Sequence, residues 1–273
     1  MRKFLSICLL SFALLLISGC GGKSDEPKVT VLMYHHFADG ERNSVIVNPE
    51  QFHEQLSALK EAGYSTITER QLLAFLNEEE VELPEKPLLI TIDDGYLSNY
   101  EVAYPTLKEL GMNAVIYVVS SSRGQTPGYI EHFTWEQAKE MYESGVIDIQ
   151  SHTHDQHAYV ESAKGEKPAL SVKLIVDGVE ESDEEYRERI YNDLKTSKEE
   201  IEANVGNEVF SLTYPYGAFN DTVIEVATEL GYRLMYTVKE GVTYAGSDSA
   251  KINRINVDGN YTIEELLKKI EQY

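Results

Sequence analysis

Residues 88–96 constrain the fold of this chain more than any other stretch. They read Leu-Leu-Ile-Thr-Ile-Asp-Asp-Gly-Tyr, so five apolar or β-branched residues run directly into two adjacent carboxylates and a glycine. Such a run predicts a buried strand of a parallel sheet that delivers acidic groups to the sheet edge, where they do chemistry or hold a metal. The alternative is a β-hairpin, because Asp-Gly is also a strong turn signal between two strands.

Predicted helices and strands alternate along most of the chain. Pro49 after the capping residue Asn48 opens one helix, and Thr68 caps the next. This alternation predicts an α/β domain over residues 29–273 with a mainly parallel sheet, closed as a barrel or open. An inserted surface hairpin is expected within residues 162–182, because that stretch interrupts the alternation of helices and strands and contains an Asp-Gly turn.

The N-terminus has the pattern of a bacterial lipoprotein. Two basic residues precede the apolar run 4–17, and a Ser-Gly-Cys sequence ends at Cys20. This predicts a signal peptide over residues 1–19, lipidation of Cys20 and a polar tether over residues 20–28. We therefore expect an extracytoplasmic domain that a lipid holds at the bacterial cell membrane. Cleavage would leave a single cysteine, which excludes an intrachain disulfide.

The charge of the chain limits its partners. It has 46 acidic against 24 basic residues and a formal net charge of -22. Nucleic acids and anionic lipid surfaces are bound by basic patches, so the composition argues against both as direct partners of the domain.

A second cluster of chemistry-bearing residues lies at 151–157, at the end of another predicted strand. It contains three of the seven histidines. Imidazole nitrogen is a common ligand of zinc-like metals, and an added carboxylate leaves coordination positions open for water. Spacing alone does not decide which pair binds. In an extended strand His152 and His154 share a face, whereas His152 and His157 converge only if the chain turns after Thr153.

Three ordered motifs carry a resemblance to a known family. Residues 91–95 (Thr-Ile-Asp-Asp-Gly), 151–153 (Ser-His-Thr) with a later histidine, and 214–217 (Tyr-Pro-Tyr-Gly) resemble the first three motifs of the polysaccharide deacetylases. These proteins form the NodB-homology group, carbohydrate esterase family 4. The resemblance implies a distorted (β/α) barrel. The sequence Tyr-His-His at 34–36 and a five-residue step between the ligand histidines are similar to the branch that deacetylates poly-β-1,6-N-acetylglucosamine in biofilms.

The resemblance also implies roles for individual residues. Asp93 would be the general base, and Asp94, His152 and His157 would hold one divalent metal ion. Zinc is the first expectation for this ion, with cobalt, nickel and iron as alternatives. The backbone N–H of Tyr216 would stabilise the oxyanion. This division of roles suits amide hydrolysis, which needs both a Lewis acid and a base.

The chain departs from the family pattern at two points. The third motif has no arginine before Pro215 to orient the base, so Arg254 is a candidate to replace it from another strand end. No histidine follows His157 to protonate the leaving amine, which makes His35 the candidate either for that role or for support of the residues that touch the metal. Substrate contacts are expected from Tyr96, Pro215, Tyr216, Gly217 and Arg254.

The sequence thus predicts hydrolytic de-N-acetylation of N-acetylglucosamine residues in a surface polysaccharide, with release of acetate. Poly-β-1,6-N-acetylglucosamine is the first candidate substrate, and peptidoglycan is the nearer alternative. A more distant alternative is a catalytically inactive lipoprotein of the same fold that binds carbohydrate, because the expected acid for the leaving amine is missing.

Overall fold

The structure is a computed structural model that describes residues 26–273. The predicted signal peptide, Cys20 and most of the predicted tether lie outside the described residues. Within the described range, no helix has the length and apolar character needed to cross a membrane.

Fifteen strands and seven α-helices are present in the described chain. The strands are β1 (Lys28–Tyr34), β2 (His36–Phe37), β3 (Ile46–Val47), β4 (Tyr64–Thr66), β5 (Lys86–Ile92), β6 (Ala114–Val118), β7 (Ile147–Ser151), β8 (Tyr159–Ser162), β9 (Gly165–Pro168), β10 (Ile175–Val176), β11 (Val179–Glu180), β12 (Ser211–Thr213), β13 (Leu234–Tyr236), β14 (Thr243–Tyr244) and β15 (Ile255–Asn256). The helices are α1 (Pro49–Glu61), α2 (Glu69–Leu76), α3 (Tyr104–Leu110), α4 (Trp135–Glu143), α5 (Asp183–Val205), α6 (Asp221–Glu229) and α7 (Ile263–Glu271).

Nine strands form one curved sheet in the order β13-β12-β7-β6-β5-β1-β14, with β15 also paired to β1 and β4 to β5. All pairs are parallel except β1 with β14. The opening between β13 and β1 is bridged by residues 252–256, because Ile252 pairs with Tyr236 and β15 pairs with β1. The predicted distorted barrel is confirmed.

Strand β5 occupies the centre of this sheet. It pairs in parallel with both β1 and β6. The sequence left open whether the Asp-Gly dipeptide ends a buried strand or forms a hairpin turn, and the structure shows that it ends a central strand. Along β5, Ile90 and Ile92 pack in the cluster beneath the helices, whereas Leu89 packs in the second cluster, inside the barrel. This alternation of side chains directs Thr91 and Asp93 to the inside as well.

Helix ends follow the predicted capping residues. The Asn48 side chain accepts hydrogen bonds from the first backbone N–H groups of α1, and Thr68 forms a reciprocal capping box with Gln71 at the start of α2. These contacts satisfy donors that a helix cannot satisfy internally and fix where each helix begins.

The insertion begins three residues before its predicted start and contains two hairpins, over residues 159–180. One, β10–β11, turns through Asp177 and Gly178, as the sequence predicts. The other, β8–β9, precedes it, and its second strand takes up most of the polar stretch at 164–168. Pairing of four residues on each side defines its register, from Tyr159 with Pro168 to Ser162 with Gly165.

A buried carboxyl group, Glu69, lies inside the barrel. The hydroxyl groups of Tyr117 and Tyr236 donate to its Oε1 at 2.5 and 2.7 Å, and the hydroxyl of Ser211 donates to its Oε2 at 2.8 Å. Burial, reinforced by the charge of Asp148, raises the pKa of Glu69 to about 7. Desolvation of the charged form therefore outweighs the three hydrogen bonds.

This raised pKa predicts a pH-dependent stability. Between pH 4.5 and 7 the unfolded chain loses the Glu69 proton while the folded chain keeps it, so the stabilisation falls as the pH rises. Relative to Glu69→Gln, the wild type should lose about 3 kcal/mol of unfolding free energy over this range. Denaturant unfolding of both proteins from pH 4.5 to 8.5 measures the difference, and parallel pH profiles would contradict the assignment.

Candidate active site

The chemistry-bearing residues meet at one edge of the barrel. Asp93 and Asp94 follow β5, His152 follows β7, and His35 follows β1. In a parallel barrel these carboxyl ends of strands face the same side. They line an open pocket of about 570 Å³, together with Tyr96, His157 and Tyr216.

Asp94, His152 and His157 form the centre of this pocket. Each offers one ligand atom, and the three atoms lie within 4.8 Å of one another. The Nε2 atoms of His152 and His157 are 3.4 and 3.2 Å from the same Oδ1 of Asp94. Burial opposes ionisation of Asp94, but its close contacts with the rings of His152 and His157 outweigh it and hold its pKa well below the usual range.

The second nitrogen of each ring contacts an oxygen at the end of β12 or in the motif that follows it. Nδ1 of His152 lies 2.8 Å from the carbonyl oxygen of Thr213, and Nδ1 of His157 lies 3.3 Å from the hydroxyl of Tyr216. A ring that donates from Nδ1 presents an unprotonated Nε2, which is the form that binds metals. Both rings are thus oriented with Nε2 toward Asp94.

A turn after Thr153 decides which histidines converge. Thr153 has a φ of 74°, in the left-handed region, and the chain reverses there so that His157 returns to the pocket. His154 points elsewhere: its Nδ1 is 2.8 Å from the hydroxyl oxygen of Ser120 and 3.1 Å from a carboxylate oxygen of Glu200. The pair that the resemblance implies, His152 with His157, is therefore the pair that the fold brings together.

Backbone strain is concentrated at this site. Only five non-glycine residues of the described chain have positive φ, and three of them are Asp94, Thr153 and Tyr216. Such conformations are unfavourable for residues with a Cβ and persist where surrounding contacts enforce them. The geometry of this pocket therefore costs the folded protein some conformational stability.

A buried ion pair holds the first carboxylate. Both terminal nitrogens of Arg254 donate to Asp93, at 2.8 and 2.7 Å, and the Arg254 side chain has no exposed surface. Burial opposes ionisation of Asp93, but the charge and hydrogen bonds of Arg254 outweigh it and lower the pKa. Arg254 thus stands where the sequence suggested a replacement for the missing arginine. The expectation that it also contacts substrate is wrong, because its guanidinium is enclosed.

A second arginine, Arg123, fixes the backbone of the acidic turn. Its guanidinium donates to the carbonyl oxygens of Gly95 at 2.6 Å and Asp94 at 2.9 Å. A Cβ on Gly95 would lie 2.4 Å from this guanidinium, and the residue has a φ of 75°, so only glycine fits here. Burial lowers the pKa of Arg123 to about 9. Arg123 was not predicted as a site residue, because no sequence motif marks it.

The histidine loop is held from outside the barrel by Asp193 on α5. Its two carboxylate oxygens accept the backbone N–H groups of His154 at 3.0 Å and Asp155 at 2.7 Å. The Gln156 side chain donates to the same carboxylate at 3.2 Å. These bonds brace the segment between His152 and His157. Asp193 was also missed, because it sits in a charged helix without a motif.

The remaining predicted site residues surround the pocket. Tyr96 and the half-exposed Tyr216 line it, and burial together with the charge of Asp94 raises the pKa of Tyr96. Pro215 is buried beneath the turn and is not available to a substrate. Gly217 shapes the turn, because its φ is 67° and a Cβ would lie 2.4 Å from Val238.

His35 also lines the pocket. Its Nδ1 is buried and has no hydrogen-bond partner among the described residues. Burial lowers the pKa of His35, and the negative charges of Asp94 and Asp93 only partly offset that effect. The ring is therefore neutral at pH 7 in the free protein.

The donor set fits a divalent cation. Oδ1 of Asp94 is buried and lacks a hydrogen-bond partner that meets normal geometry within the described chain. Two imidazoles whose other nitrogens are already engaged point at this oxygen. One carboxylate and two imidazoles match the preferences of zinc and related metals.

Loss of the Arg123 contacts should weaken metal binding. In Arg123→Met the Asp94–Gly95 turn loses its two guanidinium bonds, so we expect Co²⁺ affinity to fall about 10- to 100-fold, with Arg123→Lys intermediate. Isothermal titration measures the affinity, and thermal unfolding checks the fold. Arg233→Met is the matched control, because Arg233 is a surface arginine that also packs on an aromatic ring. Unchanged affinity in a folded Arg123→Met protein would contradict this role.

Comparison with known proteins agrees with this geometry. The family model described as polysaccharide deacetylase matches residues 80–235. The poly-beta-1,6-N-acetyl-D-glucosamine N-deacetylase of Staphylococcus epidermidis is 27% identical over 82% of this chain and 71% of its own length. The solved de-N-acetylase from Aggregatibacter actinomycetemcomitans is similar with a TM-score of 0.79 and 26% identity, over 89% of this chain and 100% of that one. The BpsB deacetylase domain from Bordetella bronchiseptica is similar with a TM-score of 0.74 and 28% identity, over 85% and 97%. The chain belongs to the polysaccharide deacetylase family, whose members act on N-acetyl amide bonds.

Proposed function

We propose that this protein removes acetyl groups from N-acetylglucosamine residues of poly-β-1,6-N-acetylglucosamine, using one divalent metal ion, with zinc as the first expectation. The observation that carries the proposal is the separation of the two carboxylates. Asp94 faces two histidines, whereas both oxygens of Asp93 are held by Arg254. Neighbouring acids with different partners can divide the roles of metal ligand and base.

Asp94, His152 and His157 would hold the ion, which would polarise the acetyl carbonyl and make the attacking water more acidic. Asp93 accepts the proton of that water. Its lowered pKa keeps it ionised at neutral pH, and the two bonds from Arg254 fix its orientation. The backbone N–H of Tyr216 stabilises the negative charge that develops on the acetyl oxygen when water attacks the carbonyl carbon.

Collapse of the tetrahedral intermediate needs a proton on the departing nitrogen. His35 lines the same pocket and lies close enough to both carboxylates for their charges to raise its proton affinity. Negative charge that develops on the substrate raises that affinity further. We therefore propose that His35 takes up the proton that Asp93 accepts from water and passes it to the departing nitrogen, so that the site is restored when the amine leaves.

Two observations support the choice of polymer. The sequence Tyr-His-His at 34–36 and the five-residue step from His152 to His157 are similar to the biofilm branch of the family. The Staphylococcus epidermidis relative carries a name that specifies this polymer. A lipid on Cys20 would keep the domain near polysaccharide outside the cell, and this anchor is part of the proposal.

Two substitutions should separate the roles within the site. Asp93→Asn should retain the metal but lose turnover by about 10²–10⁴-fold, because the base is absent. His152→Ala should lose both, because a ligand is removed. Acetate release and metal content measure the two effects, with thermal unfolding as a fold check and the surface variant His53→Ala as control. Unchanged acetate release by Asp93→Asn would contradict the base assignment.

The substrate assignment is tested with two purified polymers. The protein should release acetate from poly-β-1,6-N-acetylglucosamine at least about tenfold faster than from peptidoglycan. A tenfold preference corresponds to about 1.4 kcal/mol of discrimination between the two polymers. Mass spectrometry of the products identifies the deacetylated units. A preference for peptidoglycan would overturn the choice of polymer and leave the reaction type intact. Glycan binding without acetate release from either polymer would instead support an inactive binding protein.

A further inference from the structure

Three rings form a continuous row from the centre of the site to the protein surface. The rings of His157 and Tyr216 have centroids 4.6 Å apart, and the rings of Tyr216 and Tyr159 are also 4.6 Å apart. We call His157, Tyr216 and Tyr159 the aromatic row. Tyr159 begins strand β8, so the row joins the proposed metal ligand to the inserted hairpins.

The outer part of the aromatic row remains open to solvent although its rings pack on one another. Tyr159 is 52% exposed and Tyr216 is 41% exposed. Val45 and Val238, which line the pocket, are the other large apolar side chains exposed at its mouth in the described chain. Exposed apolar surface concentrated around a pocket marks a binding surface more often than scattered apolar residues do.

The scaffold around Tyr159 is rigid. Its strand pairs with β9 over four residues, and the backbone N–H of Ala169 donates to the carbonyl of Ala158 at 2.9 Å. Arg189 on α5 donates to the carbonyl of Ala169 and to the side chain of Gln156. The inserted hairpin and the histidine loop are therefore fixed to the same helix, so Tyr159 is held in place beside the site.

We propose that Tyr159 and Tyr216 form a stacking subsite for the N-acetylhexosamine residue next to the one being deacetylated. This inference rests on the proposed function. The faces of a pyranose ring carry C–H groups, while its hydroxyl groups point outward around the ring edge. Tyrosine offers a flat apolar face, a polar tip and little conformational entropy to lose, which suits such a ligand.

The subsite gives the insertion a function. A neighbouring sugar bound on Tyr159 and Tyr216 holds the polymer so that the acetyl group of the next unit faces Asp94, His152 and His157. Binding energy from a part of the substrate that does not react then contributes to selection of long chains over single sugars. The insertion thus determines chain-length preference.

The test compares Tyr159→Ala with the wild type on a β-1,6-linked pentamer and on the methyl glycoside of N-acetylglucosamine. The ratio of kcat/KM for the pentamer to that for the single sugar should fall about tenfold, mainly through the KM for the pentamer. Tyr159→Phe should keep most of the ratio. In an Asp93→Asn background, Tyr159→Ala should raise the Kd for the pentamer by a similar factor.

Val179→Ala is the matched control, because Val179 is an exposed apolar residue of the same insertion without a ring contact to the site. Its ratio should equal that of the wild type, and thermal unfolding shows that each variant is folded. An unchanged ratio in Tyr159→Ala, with an active wild type, would overturn the subsite alone. A wild type that deacetylates neither substrate would overturn the proposed function and the subsite together.

Discussion

The buried ion pair between Arg254 and Asp93 is the interaction on which the rest of the site depends. Removing two charges from water is costly unless their geometry and remaining hydrogen bonds compensate. Here the guanidinium meets both carboxylate oxygens, and its other donors reach the hydroxyl of Thr91 and the carbonyl of Thr237. Because these partners lie on β5 and just after β13, the pair links opposite parts of the barrel. Because Arg254 binds Asp93, the Asp93 carboxylate is kept apart from the two histidines. Asp93 can therefore serve as the base while the neighbouring Asp94 serves as a metal ligand.

The acidic turn is held by two arginines with different tasks. Arg254 fixes the side chain of the first aspartate, whereas Arg123 fixes the backbone after it. The left-handed conformations of Asp94, Thr153 and Tyr216 are each unfavourable for a non-glycine residue. Their occurrence around one pocket indicates that surrounding contacts enforce the geometry. Asp193 provides such contacts for the histidine loop, through two backbone N–H groups.

The sequence allowed prediction of the fold because its signals were local. The apolar run at 88–92 and the caps at Asn48 and Thr68 mark elements that the structure contains. The convergence of strand ends followed from the parallel topology. Arg123 and Asp193 could not be found in this way, since each acts through backbone groups far along the chain and neither residue type nor spacing marks them. The two-residue strand β14, antiparallel to β1, was missed because so short a pairing leaves no periodic pattern.

The proposed reaction requires a metal ion held by Asp94, His152 and His157. The most direct measurement is acetate release from poly-β-1,6-N-acetylglucosamine by chelator-treated protein as Zn²⁺ or Co²⁺ is added back, with bound metal determined in parallel. Activity should be lost on chelation and should return in proportion to metal occupancy, with its maximum at one ion per chain. Full acetate release by protein without bound metal would contradict this requirement.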